Sequence, residues 1–223
     1  MSILRLKTRK LFYGKWPYKI ECYLKGSSNI ARLGLLRTTS WLSGSGTDNW
    51  IWKGADKADI GQFVKKVAPF MNTEDTRIRV EGAHFNIFIK DKTYADNVIK
   101  ELTPWIQRIT EPGSDEEYEF LVNNTAKKII CNELPKGKFR YRIYIRERMK
   151  IDSRQKFYEW TNRYTDKFDI SKTTVKWLTG VRGYTQDPFL YLEKHSDLSM
   201  VSLYLGENIK RIEEFIPRTN INT

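Results

Sequence analysis

The sequence predicts an α+β protein of two β-α-β-β-α halves in tandem, with antiparallel sheets carrying helices on one face. Two stretches lead to that expectation. YKIECYLK (18–25) and FRYRIYIR (139–146) both alternate apolar and polar side chains with the period of two that marks a half-buried strand. The third observation is the order strand, helix, two strands, helix, which reads the same way after each of them. Aromatic pairs with aromatic at 18/139, base with base at 19/140, Tyr23 with Tyr144 and Lys25 with Arg146. The shared order of elements argues for an internal duplication better than these matches do.

Residues 1–16 read as a basic arm or an edge strand. In 18–25, Tyr18, Ile20, Cys22 and Leu24 face one way, and Lys19, Glu21, Tyr23 and Lys25 the other. Residues 26–57 read as an insertion, with ARLGLLRTTSWL and WIWK on either side of a hairpin tip or loop at SGSGTDN. ADIGQFVKKVAPFM (58–71) places Ile60, Phe63, Val64 and Val67 at helical spacing, and Pro69 closes the helix. TRIRVEG and HFNIFIKD are strands about a turn at Gly82. KTYADNVIKELTPWIQRIT reads as one helix with Ile106 and Ile109 on its inner face, kinked at Pro104 or restarted there with Thr103 as cap. EPGSDEEYEF is a break and then a short helix, opened by a capping box from Ser114 to Glu117. KKIICNEL follows as a strand and PKGK as a turn.

In the second half, FRYRIYIR precedes the helix DSRQKFYEWTNRYTDK, with an Asp152/Gln155 capping pair and Phe157, Trp160 and Tyr164 turned inward. KTTVKWLTG, DPFLYLEK and LSMVSLYLG read as strands and ENIKRIEEFI as a closing helix. The expected division is a first half at 1–112, a connecting helix and strand at 113–138, and a second half at 139–223. A β-α-β-β-α unit is the ferredoxin-like split arrangement, so both halves are expected to be ferredoxin-like and to leave one sheet face open.

The 223 residues are 40% apolar and include 7 Trp, 12 Tyr and 11 Phe, which argues for a packed core and against disorder. No run approaches the roughly 18–20 apolar residues of a membrane span, and MSILRLKTRK lacks the long apolar stretch of a secretion signal. A soluble cytoplasmic protein without a membrane partner is the expectation. Cys22 and Cys131 sit in alternating apolar contexts and read as buried free thiols. Neither a metal site nor a cofactor is expected, since clustered His and Cys, a Walker motif and a dinucleotide fingerprint are all missing.

Charge points to the partner. Lys plus Arg total 39 against 27 Asp plus Glu, a formal +12 that favours polyanions. The outward residues Lys19, Tyr23, Lys25, Arg140, Arg142, Tyr144 and Arg146 are the candidate nucleic-acid-binding set. Cations there would meet phosphates, and tyrosine or arginine planes would stack on unpaired bases of RNA or single-stranded DNA. Lys7, Arg9 and Lys10 on the arm, Arg32 and Arg37 near Trp41, Trp50 and Trp52, Lys127, Lys128, and Arg182 in TGVRGY could extend that surface.

Two other classes compete with binding alone. AHFNIFIK resembles the metal-binding strand of rolling-circle replication initiators, with His84 and Asn86 where those proteins carry two histidines. YTDK resembles their tyrosine nucleophile and following lysine, at Tyr164 and Lys167. That resemblance implies a metal-dependent nicking enzyme. In architecture, two ferredoxin-like units on a basic chain also resemble CRISPR RNA-processing proteins, although their glycine-rich C-terminal loop is missing. The remaining alternative is a structural protein that self-assembles through its aromatic surface.

Overall fold

The computed structural model describes residues 2–45, 51–71, 73–124 and 127–221. The first of two compact units, Met1–Val122, runs β1 (Leu4–Lys7), β2 (Tyr18–Tyr23), α1 (Ser27–Leu42), α2 (Lys57–Val67), β3 (Thr76–Glu81), β4 (His84–Ile89), α3 (Lys92–Leu102), β5 (Ile106–Glu111) and α4 (Asp115–Asn123). The second, Asn123–Thr223, runs β6 (Lys128–Cys131), β7 (Tyr141–Ile145), α5 (Ile151–Thr161), β8 (Phe168–Ile170), α6 (Lys172–Leu178), β9 (Phe189–Leu192), α7 (Ser196–Leu205) and β10 (Ile209–Pro217). This is a mixed α+β architecture with two five-stranded sheets, ordered β1-β5-β2-β4-β3 and β6-β10-β7-β9-β8.

The predicted antiparallel sheets need correction at one edge each. β1 pairs with β5 and β6 with β10 in parallel, while every other neighbouring pair is antiparallel. Both parallel strands precede the alternating segment of their unit and have only four residues. So short a strand carries too little pattern to show its direction.

β2 and β7 form the middle of the sheets because their apolar sides can be covered completely. Tyr18, Ile20 and Cys22 join Phe85, Ile87 and Ile89 of β4 in a core closed by Ile60, Phe63, Val64 and Val67 of α2 and Val98 and Leu102 of α3. Tyr141, Ile143 and Ile145 join Leu190 and Leu192 in a second core under Phe157, Trp160, Trp177, Leu178, Val201 and Leu205. The helix spacing of α2 is as expected, and Asp56 caps it by accepting from the Ala58 and Asp59 amides at 2.8 and 3.0 Å. The Ser114 box also forms: the Glu117 amide donates to Ser114 Oγ at 3.2 Å, and the Glu117 carboxylate accepts from the Gly113 amide at 2.9 Å. Gly82 takes φ +61° in the two-residue turn between β3 and β4. At Gly26 φ is +89°, and an added Cβ would lie 2.9 Å from the Ile60 side chain. Only glycine fits between β2 and α1.

Five segments take another element type than expected, and two of them share a cause. IQRIT and IKRIEEFI are strands, β5 and β10, rather than helical pieces. Against the central strand, each shifts register by one residue, between Glu21 and Cys22 for β5 and between Ile209 and Arg211 on β10. The extra residues, Gln107 and Lys210, put Ile106 with Ile109 and Ile209 with Ile212 on the core side at a spacing of three. A bulged strand thus imitates helical periodicity. Pro104 lies in a 3₁₀ turn, Thr103–Trp105, and the Thr103 hydroxyl donates back to Ile99 O at 2.7 Å instead of capping a new helix.

KTTVKWL is α6, capped by Ser171 Oγ accepting from the Thr174 amide at 3.2 Å and burying Thr174, Trp177 and Leu178. LSMVSLYL belongs to α7, which buries Asp197, Val201 and Leu205 at steps of four. A short apolar run fits either element, and length alone did not separate them. ARLGLLRTTSWL is helical within α1, broken at Gly34 (φ +75°, ψ 171°), and not an arm of a hairpin. Residues 46–49 of the expected tip lie outside the described residues. α5 starts at Ile151 without a side-chain cap, and Tyr164 is 36% exposed instead of inward.

Replacing Ile143, fully buried at the centre of the second core, by alanine should cost about 2–5 kcal/mol in urea unfolding. Leu203→Ala, at a side chain that is 86% exposed, should shift the midpoint by no more than about 0.5 kcal/mol.

Candidate functional site

Alternation places Arg142 and Tyr144 on the side of β7 away from the helices, as expected, but not in open solvent. β10 presents Arg211, Glu213 and Phe215 on the same side, because Arg211 is in register with Tyr144 and Glu213 with Arg142. Arg142 Nε and Nη2 both donate to Glu213 Oε2, at 3.0 and 2.5 Å. The two side chains are 21% and 5% exposed. Burial alone would lower the Arg142 pKa, yet the hydrogen bond and charge of Glu213 outweigh it and raise the value above the ordinary one. The guanidinium also lies 5.1–5.6 Å from the ring centroids of Tyr144, Phe215 and Phe189.

Arg211 sits 3.5 Å over the Tyr144 ring. Burial raises the Tyr144 pKa despite the opposing Arg211 hydrogen bond and Arg142 charge. This face is occupied by its own arginine, glutamate and aromatic side chains, with Arg211 Nε buried and making no hydrogen bond. Arg140 stays exposed, and half-buried Arg146 uses its backbone amide on Asn208 O at 2.8 Å.

On the first sheet, the helix-free side receives a different cover. The chain between β1 and β2 folds back over it, closed by a Phe12–Trp16 bridge. Phe12 and Tyr13 rest on Phe88 of β4, with ring centroids 5.4 and 5.0 Å away. Arg77 of β3 stacks 4.1 Å from the Tyr13 centroid, and Arg79 Nη1 donates to the Tyr13 hydroxyl at 3.0 Å.

Beneath this strap lies a groove of about 520 Å³. Lys7, Arg9, Lys10 and Arg79 line it and are exposed, while Lys19 is half-buried and Asn86 is 2% exposed. Glu81 is the acidic member of the lining and is paired with Arg79 at 2.5 Å. Lys19 is held upright by Glu21, Nζ to Oε2 3.0 Å. Burial pushes the Glu21 carboxyl up, but the Lys19 hydrogen bond, with the charges of Lys19, Arg108 and His84, outweighs it and keeps the pKa below the usual glutamate value.

No known family, curated protein or solved structure matches this chain. Its chemistry has to be read from these two faces. Of the candidate set, Lys19 joins the groove. Tyr23, 41% exposed and 5.6 Å from His84, and exposed Lys25 lie at the far end of β2. Arg140, Arg142, Tyr144 and Arg146 belong to the other unit. The arm residues Lys7, Arg9 and Lys10 gather where Lys19 is.

Trp41 and Trp52 stack at 4.3 Å inside the first core, 7% and 3% exposed, so they pack rather than bind. Trp50 lies outside the described residues. His84 Nδ1 is 3.5 Å from Glu21, but among the described residues no three His, Cys, Asp or Glu side chains gather as a metal-ligating group. Tyr164 stands in a 3₁₀ turn of the second unit, with Lys167 5.6 Å over its ring. Missed by the sequence reading were Arg79, Phe12, Tyr13 and Phe88, and Asn86 entered it only as the partner of His84 in the replication-initiator resemblance. The alternation of TRIRVEG marks Arg77 and Arg79 as outward, but nothing local shows that the strap returns to them.

Glu213→Ala should destabilise the protein by about 3–5 kcal/mol in chemical denaturation, because it strands the Arg142 charge. Arg142→Met with Glu213→Leu should recover most of the loss. At Glu21 the folded-state pKa is lowered, so its contribution is present above the ordinary glutamate range and is lost as pH falls through and below it. Comparing urea midpoints from pH 6 to 3, Glu21→Gln should lose less stability on acidification than the unaltered protein.

Proposed function

We propose that the protein binds single-stranded or structured nucleic acid in the strap-covered groove of its first unit. The observation that carries this reading is the convergence of Lys7, Arg9, Lys10, Lys19 and Arg79 with aromatic side chains on one helix-free sheet face. Cations there neutralise phosphates, while rings and guanidinium planes favour unpaired bases over a closed duplex. The net charge of +12 supplies the long-range attraction.

The strand order supports treating each half as a ferredoxin-like unit with an added parallel edge strand. Setting β1 and β6 aside, the remaining four strands run last-first-third-second in both sheets and pair antiparallel. That arrangement leaves one broad face for recognition. In the second unit the face is occupied by its own Arg142–Glu213 lattice, so the first unit is assigned the binding role.

The test is the salt dependence of binding to a labelled single strand, read by fluorescence anisotropy. Affinity should fall steeply between about 50 and 200 mM salt. Replacing Lys7, Arg9 and Lys10 together by alanine should weaken binding and make the log–log salt slope shallower by about 2, at roughly 0.7 per phosphate contact on a single strand. Arg140→Ala with Arg146→Ala should change little. Undetectable binding at about 50 mM salt, or loss with the second pair only, would refute the assignment.

A further inference from the structure

A buried side chain in the groove lacks a partner. Asn86 lies on β4 between Arg79 of β3 and Glu21 of β2 in register, and is 2% exposed. Its Oδ1 is enclosed and accepts no hydrogen bond. An orphaned buried carbonyl costs about 1–3 kcal/mol, so a polar atom left in this state inside a concave site calls for a ligand that answers it. Leucine or valine would fill the same position on β4 at no such cost.

The surroundings narrow the ligand. Half-buried Leu11 and Phe12 supply apolar surface in the lining that also holds Asn86, while the cations Lys7, Arg9 and Lys10 line the same groove. The ligand therefore has a flat apolar body, a hydrogen-bonding edge and a nearby negative charge. About 520 Å³ falls within the roughly 300–1,000 Å³ of small-ligand pockets. These features together describe one nucleotide of a strand.

Resting on the nucleic-acid reading above, we infer that the groove is a nucleobase pocket: one unpaired base enters under the strap, lies against Phe12 and Leu11, and gives a hydrogen bond to Asn86 Oδ1. The Watson–Crick edge of every base carries a donor beside an acceptor. A carboxamide, whichever way it is turned, therefore finds its complement. The phosphates on either side of that base meet Lys7, Arg9 and Lys10. A base already paired in a duplex has its Watson–Crick edge occupied and its faces stacked, so the pocket selects for single strands.

The experiment compares three labelled probes by anisotropy at low salt: a short single strand, the same backbone with abasic sugars throughout, and the corresponding duplex. The unaltered protein should bind the base-bearing strand about tenfold or more tighter than the abasic strand, the range expected for one stacked and hydrogen-bonded base. Asn86→Leu should narrow the preference for the base-bearing over the abasic strand, the stacking contribution being kept. Equal affinity of the unaltered protein for the base-bearing and abasic strands would overturn the pocket while leaving phosphate binding intact. So would an Asn86→Leu protein that keeps the full preference for bases. Failure of all three probes to bind would overturn the nucleic-acid reading itself.

Discussion

Both units depend on a central strand that is buried on one side and polar on the other. β2 and β7 are hydrogen-bonded along both edges, so neither can shift without breaking two ladders. A slip of one residue would turn Ile20 or Ile143 out of the core and bring a charge in. The helices take the apolar side because only there can Phe63, Trp177 and their neighbours be removed from water. The polar side is what remains, and function has to be sought on it.

The two units treat that side in opposite ways. In the second, Glu213 from the last strand meets Arg142 from the central one, and rings of Tyr144, Phe189 and Phe215 surround the pair. A phosphate arriving there would have to displace a carboxylate already bonded through two nitrogens. In the first unit, the strand in the corresponding place is β5, and Arg108 rather than an acid faces Glu21. The polar face is crossed by the Phe12–Trp16 strap, and Lys7, Arg9 and Lys10 join a groove in which Lys19 and Arg79 are paired with Glu21 and Glu81. Glu21 serves there as a local support for Lys19, and its lowered pKa follows from the cations about it.

The central strands, the hairpin at Gly82, α2 and the Ser114 cap were legible because each is decided by residues within one or two turns of chain. β5 and β10 were not. In both, a single extra residue opposite the central strand places isoleucines three apart on the same side, and a spacing of three reads as helix when the partner strand is unknown. That the same irregularity recurs in the last strand of each half is a better likeness between the halves than any residue match between YKIECYLK and FRYRIYIR. α6 and α7 failed for another reason: seven to ten residues with β-branched or aromatic members satisfy either period, and packing on the sheet decided the matter.

For the candidate site, the sequence by itself determined which side chains point away from the helices. Alternation assigns Lys19, Arg142 and Tyr144 to that side, and composition supplies the excess of positive charge. Only the tertiary structure decided which distant residues each of those charges meets. Arg142 and Glu213 are 71 residues apart in the chain and meet through strand register. Lys7 and Lys19 converge with Arg79 because the strap folds back over β4, a contact that no local pattern encodes. Side-chain direction is a short-range property of the backbone, whereas charge neutralisation depends on which distant strand lies alongside.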